Sequence, residues 1–134
     1  MLDLRLHHVS IAVTDLERSV AFYQKAFGLE RLPRPPFKTQ GAWLDCHGQQ
    51  IHLILYPQGT YRANEAIDNN DVHFSFHTRD FYAILDHLLA QGFHEGPDAN
   101  DPMRLYVLRD GPAGFPQLYL RDPDRNVVEV NGAP

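Results

Sequence analysis

The sequence predicts an α+β fold of two tandem βαβββ modules that close into one curved mixed sheet around a cavity, with the helices outside. Three observations carry it. A strand-like run holding a histidine occurs twice, with His8 and His73 lying 65 residues apart. An aspartate placed to cap a helix follows each run, and Asp15 and Asp80 are also 65 residues apart. A helix-ending glycine comes next, Gly28 and then Gly92. Three ordered landmarks in one register indicate a duplicated module. Residues 1–134 read as a single domain, with module 1 over about 1–58, a linker over about 59–70 and module 2 over about 71–134.

Leu6–Val13 is β-rich and predicts the first strand. Asp15 or Thr14 caps the element that follows, in which Leu16, Val20, Tyr23 and Phe27 recur at helical spacing. Gly28 stops that helix, and Leu29–Leu32 predicts a short strand. Pro33, Pro35 and Pro36 make residues 33–40 a loop. Gly41–Cys46 and Gln50–Tyr56 predict a hairpin turned at His47-Gly48. The pattern then restarts. Val72–Thr78 predicts a strand, and Asp80 caps a helix carrying Phe81, Ile84, Leu85 and Leu88. Phe93 starts a short strand. Arg104–Leu108, Phe115–Arg121 and Asn126–Asn131 predict the rest, the last two joined by the turn Asp122-Pro123-Asp124-Arg125. His52 and Glu129 hold matching places in the final strand of each module. They are 77 residues apart, so the second module carries a longer excursion, expected between residues 96 and 114.

Composition narrows the function classes. Hydrophobic residues make up 43% and charged residues 22%, as in a soluble globular protein. No apolar run approaches the roughly 18 residues of a membrane span. Met1–Arg5 enters strand-like sequence without the zones of a signal peptide, so a cytoplasmic location is expected. The net charge is -5 and the basic residues are scattered, with a loose group only at Arg31, Arg34 and Lys38. That argues against nucleic acid. Cys46 is the single cysteine, so no internal disulfide forms.

The eight histidines are the outlier. Side chains alternate across a strand. Val9, Ile11 and Val13 form the apolar face of the first strand, which turns His8 and Ser10 to the other side. In the second copy Val72, Phe74 and Phe76 oppose His73, Ser75 and His77. The last strand of each module adds His52 and Glu129. A histidine alone is most simply a hydrogen-bonded core residue. A glutamate between valines is expensive unless paired. Together His8, His52, His73 and Glu129 suit a divalent first-row metal, and two histidines with one carboxylate match the facial set that leaves positions open on Fe(II).

These residues resemble the vicinal oxygen chelate superfamily, which includes glyoxalase I, extradiol dioxygenases, methylmalonyl-CoA epimerase and fosfomycin-resistance proteins. The likeness rests on Leu6–Ser19, on Phe22-Tyr23 and Phe27-Gly28-Leu29, and on Leu118–Glu129. Arg125 stands where the family usually has Gly. The resemblance implies a glyoxalase-like domain with His8, His73 and Glu129 as metal ligands. His52 falls where glyoxalase I carries a metal-binding glutamate, and its role as ligand or base stays open. The implied function is a metal-dependent enzyme of lyase or isomerase type. It would act on a small oxygen-rich molecule chelated to Zn, Ni, Mn or Fe(II), with Glu129 and His52 as catalytic groups. Ser10, His77, Tyr119 and Arg104 are the candidate substrate contacts. An Fe(II) or Mn(II) dioxygenase is the alternative, with His77, Tyr106 or Tyr119 as acid–base partner. A metal-free drug-binding resistance protein is the alternative from another class. Loop 33–40 and the excursion 96–114 would shape the pocket, and their arginines could hold an anionic substrate. The resemblance also implies a homodimer.

Overall fold

A computed structural model describes all 134 residues, and the strand–helix order repeats as the landmarks require. The elements are β1 (His8–Val13), α1 (Leu16–Phe27), β2 (Glu30–Leu32), β3 (Gly41–Cys46) and β4 (Gln49–Leu55), then β5 (His73–His77), α2 (Phe81–Ala90), β6 (Tyr106–Leu108), β7 (Gln117–Arg121) and β8 (Val127–Asn131). The chain divides into two units, Met1–Tyr61 and Arg62–Pro134. Each holds one four-stranded mixed sheet, ordered β1-β4-β3-β2 in the first and β5-β8-β7-β6 in the second. The first strand of each unit pairs in parallel with the last, and the other pairs are antiparallel. The single continuous sheet of the expectation is thus two hydrogen-bonded sheets, because the parallel return of the last strand completes the pairing inside each unit. Most of the expected linker goes with the second unit, where Arg62 pairs with Asp71 at 3.0 Å.

Local chemistry explains the elements. Asp15 caps α1 by accepting from Arg18 N at 3.0 Å, and Asp80 caps α2 by accepting from Ala83 N at 3.1 Å. Each such cap contributes about 1 kcal/mol. Gly28 ends α1 in the left-handed conformation, φ 67°. The β3–β4 turn has φ 51° at His47 and 89° at Gly48, as a tight two-residue hairpin needs. Strands β1, β2, β5, β6, β7 and β8 each start one or two residues later than expected. Pro116 has no N–H to donate, so β7 begins at Gln117. Asn126 donates its N–H to Asp122 Oδ1, so β8 begins at Val127.

The longer excursion lies nearer α2 than expected. Only residues 28–29 join α1 to β2, whereas residues 91–105 join α2 to β6; the β2–β3 and β6–β7 loops, 33–40 and 109–116, match in length. The strand expected from Phe93 is a lone bridge between His94 and Arg104. Gly96-Pro97 ends it, and side chains replace the ladder. His94 Nε2 donates to Asp101 Oδ2 at 2.9 Å while its Nδ1 accepts from Gly96 N, and Asp101 Oδ1 accepts from Met103 N.

The first unit's core comprises Val13, Val20, Tyr23, Ala26, Leu44, Ile51 and Leu53, with α1 against β3 and β4. The second buries Phe81, Leu85, Leu88, Leu105, Leu118, Leu120, Val128 and Val130. Each large side chain so buried contributes roughly 1.5–3 kcal/mol. The alternation leaves the opposite face of each sheet for polar residues. In β1, His8 and Ser10 are exposed while Val9 and Ile11 are half-buried, and β5 repeats this with His73, Ser75 and His77 against Phe74 and Phe76.

Candidate functional site

In the first unit, the polar face of β1, β4 and β3 carries an aromatic stack. The register sets Ser10 opposite His52 and His52 opposite Trp43. Because β4 lies between its neighbours, the His52 ring is held on both sides. His8 stacks on it at 4.0 Å between centroids and 12° between planes, and Trp43 at 4.5 Å and 6°. His52 is buried, at 8% exposure. Its Nε2 lies 2.8 Å from Gln50 Oε1. An amide oxygen only accepts, so Nε2 donates and the lone pair of the neutral ring is on Nδ1. Burial first, then the neighbouring His8, His7 and Arg34 charges, hold the His52 pKa below its ordinary value. Both effects favour the neutral ring, the form in which imidazole binds metal.

In the second unit, the same face of β5, β8 and β7 carries a carboxylate. The register sets Ser75 opposite Glu129 and Glu129 opposite Tyr119. Glu129 is 7% exposed. Gln117 Nε2 donates to its Oε1 at 2.9 Å and also reaches the Tyr119 hydroxyl at 3.2 Å. The other oxygen, Oε2, faces His73 Nε2 at 3.2 Å. His73 Nδ1 lies 2.8 Å from the Asp71 carbonyl oxygen, so Nδ1 is the donor. A ring with its proton on Nδ1 alone would present its Nε2 lone pair to a carboxylate oxygen. Two acceptors so close need a proton or a metal ion between them. Tyr119 is held above its ordinary pKa by burial and then by the Glu129 charge, against a lowering hydrogen bond from Asn69.

Neither unit by itself assembles three or more His, Cys, Asp or Glu side chains at metal-binding distance. In the first, His8 and His52 stack face to face; in the second, His73 Nε2 approaches Glu129 Oε2. The donor chemistry fits a divalent first-row ion: neutral imidazoles and one carboxylate, with His73 steadied by a backbone carbonyl and Glu129 by an amide. The other expected residues are placed as follows. Ser10 is exposed beside His52, and Tyr119 lies beside Glu129. His77 donates to Ala133 O at 2.6 Å and Arg104 to Gly96 O at 2.8 Å. Trp43 and Gln117 were not read from the sequence as site residues. Trp43 had a signal, since the alternation of Ala42 and Leu44 with a two-residue turn at 47–48 sets it opposite His52. Gln117 had none.

A duplicated βαβββ unit with histidines and a carboxylate on its polar faces defines a class of α+β proteins. The comparisons place the chain within it: residues 5–130 match the model of the Glyoxalase/Bleomycin resistance protein/Dioxygenase superfamily, and the chain belongs to that family. It is 32% identical over 127 residues to Glyoxylase I 4 of Arabidopsis thaliana, covering 93% of this chain and 68% of that protein. The structure of a lactoylglutathione lyase from Agrobacterium tumefaciens superposes with a TM-score of 0.66 at 26% identity, over 95% of this chain and 92% of the other. A bleomycin-binding protein complexed with bleomycin shares the fold, with a TM-score of 0.73 at 15% identity over 97% and 98%.

Proposed function

We propose that this protein is a metal-dependent enzyme of glyoxalase-like lyase or isomerase type, with His8, His52, His73 and Glu129 as the candidate ligands for a divalent ion, Zn, Ni, Mn or Fe(II). The observation that carries the reading is the His73 Nε2–Glu129 Oε2 approach at 3.2 Å, with both groups oriented by other partners. When bound, the ion supplies Lewis-acid polarisation of substrate oxygens. The chain's own residues do the rest. Glu129 takes a proton from the carbon next to a carbonyl and returns it to the neighbouring position. Gln117 holds that carboxylate in place. His52 is fixed in one ring plane and one tautomer by His8, Trp43 and Gln50, which suits it as a ligand. Ser10 and Tyr119 offer hydroxyl groups to the substrate. His77 and Arg104 each spend one donor on a backbone carbonyl and would contribute through the rest of their rings or forks. The similarity to a lactoylglutathione lyase and to Glyoxylase I 4 supports a lyase over a metal-free binder. The same reading takes the protein as a cytoplasmic homodimer acting on a small molecule. No helix is long and apolar enough to cross a membrane.

Trp43 is the sole tryptophan and stacks on His52, so it reports directly on that ring. Titration of chelator-treated protein with Ni, Zn, Mn or Fe(II) should change its fluorescence, with one ion per chain by mass spectrometry. No bound metal and no gain in melting temperature with any of the four would sink the reading in favour of a metal-free binder. With metal bound, formation of lactoylglutathione supports the lyase. Metal-dependent oxygen consumption with a catechol would move the assignment to the dioxygenase branch.

A further inference from the structure

Arg34 is an unneutralised cation in a cavity wall. The cavity, of about 490 Å³, lies in the first unit where the start of α1 meets β2 and the proline-rich loop. That volume falls in the range of small-molecule sites. Leu16, Leu32, Pro35, Pro36 and Phe37 supply its apolar lining, beside polar surface from Arg34 and Gln40. Its other charged lining residues, Glu17 and Arg31, neutralise each other, Arg31 Nη1 donating to both Glu17 oxygens at 3.0 Å.

Arg34 has no such partner. Nη2 donates to the Thr39 carbonyl oxygen at 2.9 Å, and the guanidinium lies over the Phe37 ring at 4.8 Å. Its Nε is buried without any hydrogen bond. A buried donor left unbonded is costly, so the group lacks an acceptor. Gly41 lets the guanidinium pack against the backbone: a Cβ there would sit 2.5 Å from Leu53 O and 2.9 Å from Arg34 Nη2. Arg109, by contrast, pairs with Glu95 and Arg125 with Glu65. Phe37 in turn lies 6.1 Å from Trp43, which stacks on His52.

We propose that this cavity binds the carboxylate of a small apolar or aromatic acid, with Arg34 as the specificity residue. The inference rests on the metal-site reading in one respect, that the acid is the far end of the substrate whose oxygens reach the His52 side. A guanidinium pre-set by a carbonyl and a ring leaves its Nη1 end to meet a carboxylate. One free guanidinium beside an apolar lining suits a monoanion. A phosphate dianion would call for a second cation, and Arg31 is spent on Glu17.

Benzoate, with benzamide as its uncharged counterpart, tests this by nitrogen-15 NMR on the full chain. Saturable benzoate shifts are expected at residues 31–42 and at the Arg34 side-chain Nε–H. Benzamide should bind at least about tenfold more weakly, and Arg34→Met should weaken benzoate by at least about tenfold. Arg34→Lys, which keeps the charge without the fork, should fall between. Equal affinity for benzoate and benzamide in the wild-type protein overturns the proposal. So does an unchanged benzoate affinity in Arg34→Met, or shifts confined to other residues. The Trp43 metal titration, repeated in Arg34→Met, keeps the two readings apart. Retained metal binding with unchanged benzoate affinity sinks only the subsite. Lost metal binding in the wild-type protein with Arg34-dependent benzoate binding sinks only the metal reading.

Discussion

Ser10, His52 and Trp43 in the first unit hold the same register as Ser75, Glu129 and Tyr119 in the second. The backbone frame is repeated and its chemistry is not. The first face is a neutral aromatic stack in which ring planes are set by packing. The second is a buried carboxylate whose two oxygens are set by hydrogen bonds and by a histidine. The contrast shows what duplication conserves. Strand pairing fixes which positions face the same way, whereas side-chain identity decides whether a position is held by dispersion or by directed polar contacts. Two similar cores with two dissimilar faces follow from this.

The cores should respond alike. Leu53→Ala in the first unit and Leu120→Ala in the second each remove a side chain with 0% exposure. Each should cost about 2–5 kcal/mol in urea unfolding. A loss below about 1 kcal/mol in one of them would break the equivalence of the two cores. The faces should respond differently. Glu129→Gln removes the one charged donor, and divalent affinity should fall on the order of a hundredfold, given about 10–16 kcal/mol shared among four ligands at a zinc site. His52→Gln should cost less. Equal losses in the Trp43-independent mass-spectrometric assay would make the two positions interchangeable.

Gln117 sharpens the same contrast, because its register counterpart in the first unit is Gly41, which has no side chain to orient His52. Gln117→Leu leaves the ligands intact and removes the amide that holds Glu129 Oε1. A drop of about tenfold in metal affinity is expected, as for other groups that orient a ligand. Unchanged affinity would show that His73 alone orients the carboxylate.

Much of the frame was legible in the sequence because it depends on local chemistry. The caps at Asp15 and Asp80, the stop at Gly28 and the turn at His47-Gly48 are each set by one or two residues. The facing of His8, His73 and Glu129 followed from alternation. Three features were not legible. The excursion at residues 91–105 is held by His94, Asp101 and Arg104 bonding across it, which no period announces. Gln117 acts through a residue twelve positions away. Arg34 stands out only once Arg31 is seen to be paired with Glu17.

The turns that close the two hairpins differ as the faces do. His47-Gly48 places glycine at one of its left-handed positions, whereas Arg125 adopts φ 67° with a full side chain. Asp122 compensates by accepting from Asp124 N, Asn126 N and Asn126 Nδ2, each at 2.9 Å. Arg125→Gly should raise stability by up to about 1 kcal/mol, since the backbone cost is relieved and only a weak pair with Glu65 at 3.9 Å is lost. A destabilised variant in thermal unfolding would show that the Glu65 contact outweighs the strain.

The smallest effect concerns the pair that ties the second unit's excursion to its β6–β7 loop. Arg109 donates to both oxygens of Glu95, at 2.8 and 2.7 Å. That bond, more than the opposing burial, holds the Glu95 carboxyl below its ordinary pKa. A carboxylate depressed in the folded state adds stability above its unfolded pKa and loses it as the pH falls through the folded value. Both side chains are more than a third exposed, at 45% and 37%, so solvent screening keeps the contribution below about 1 kcal/mol. Glu95→Gln should therefore be slightly less stable than wild type at neutral pH, and the gap should close as the pH drops below the ordinary glutamate range. Urea unfolding of both proteins across that window checks it. A gap that persists unchanged at low pH would mean that Glu95 stabilises the excursion by packing and not by its charge.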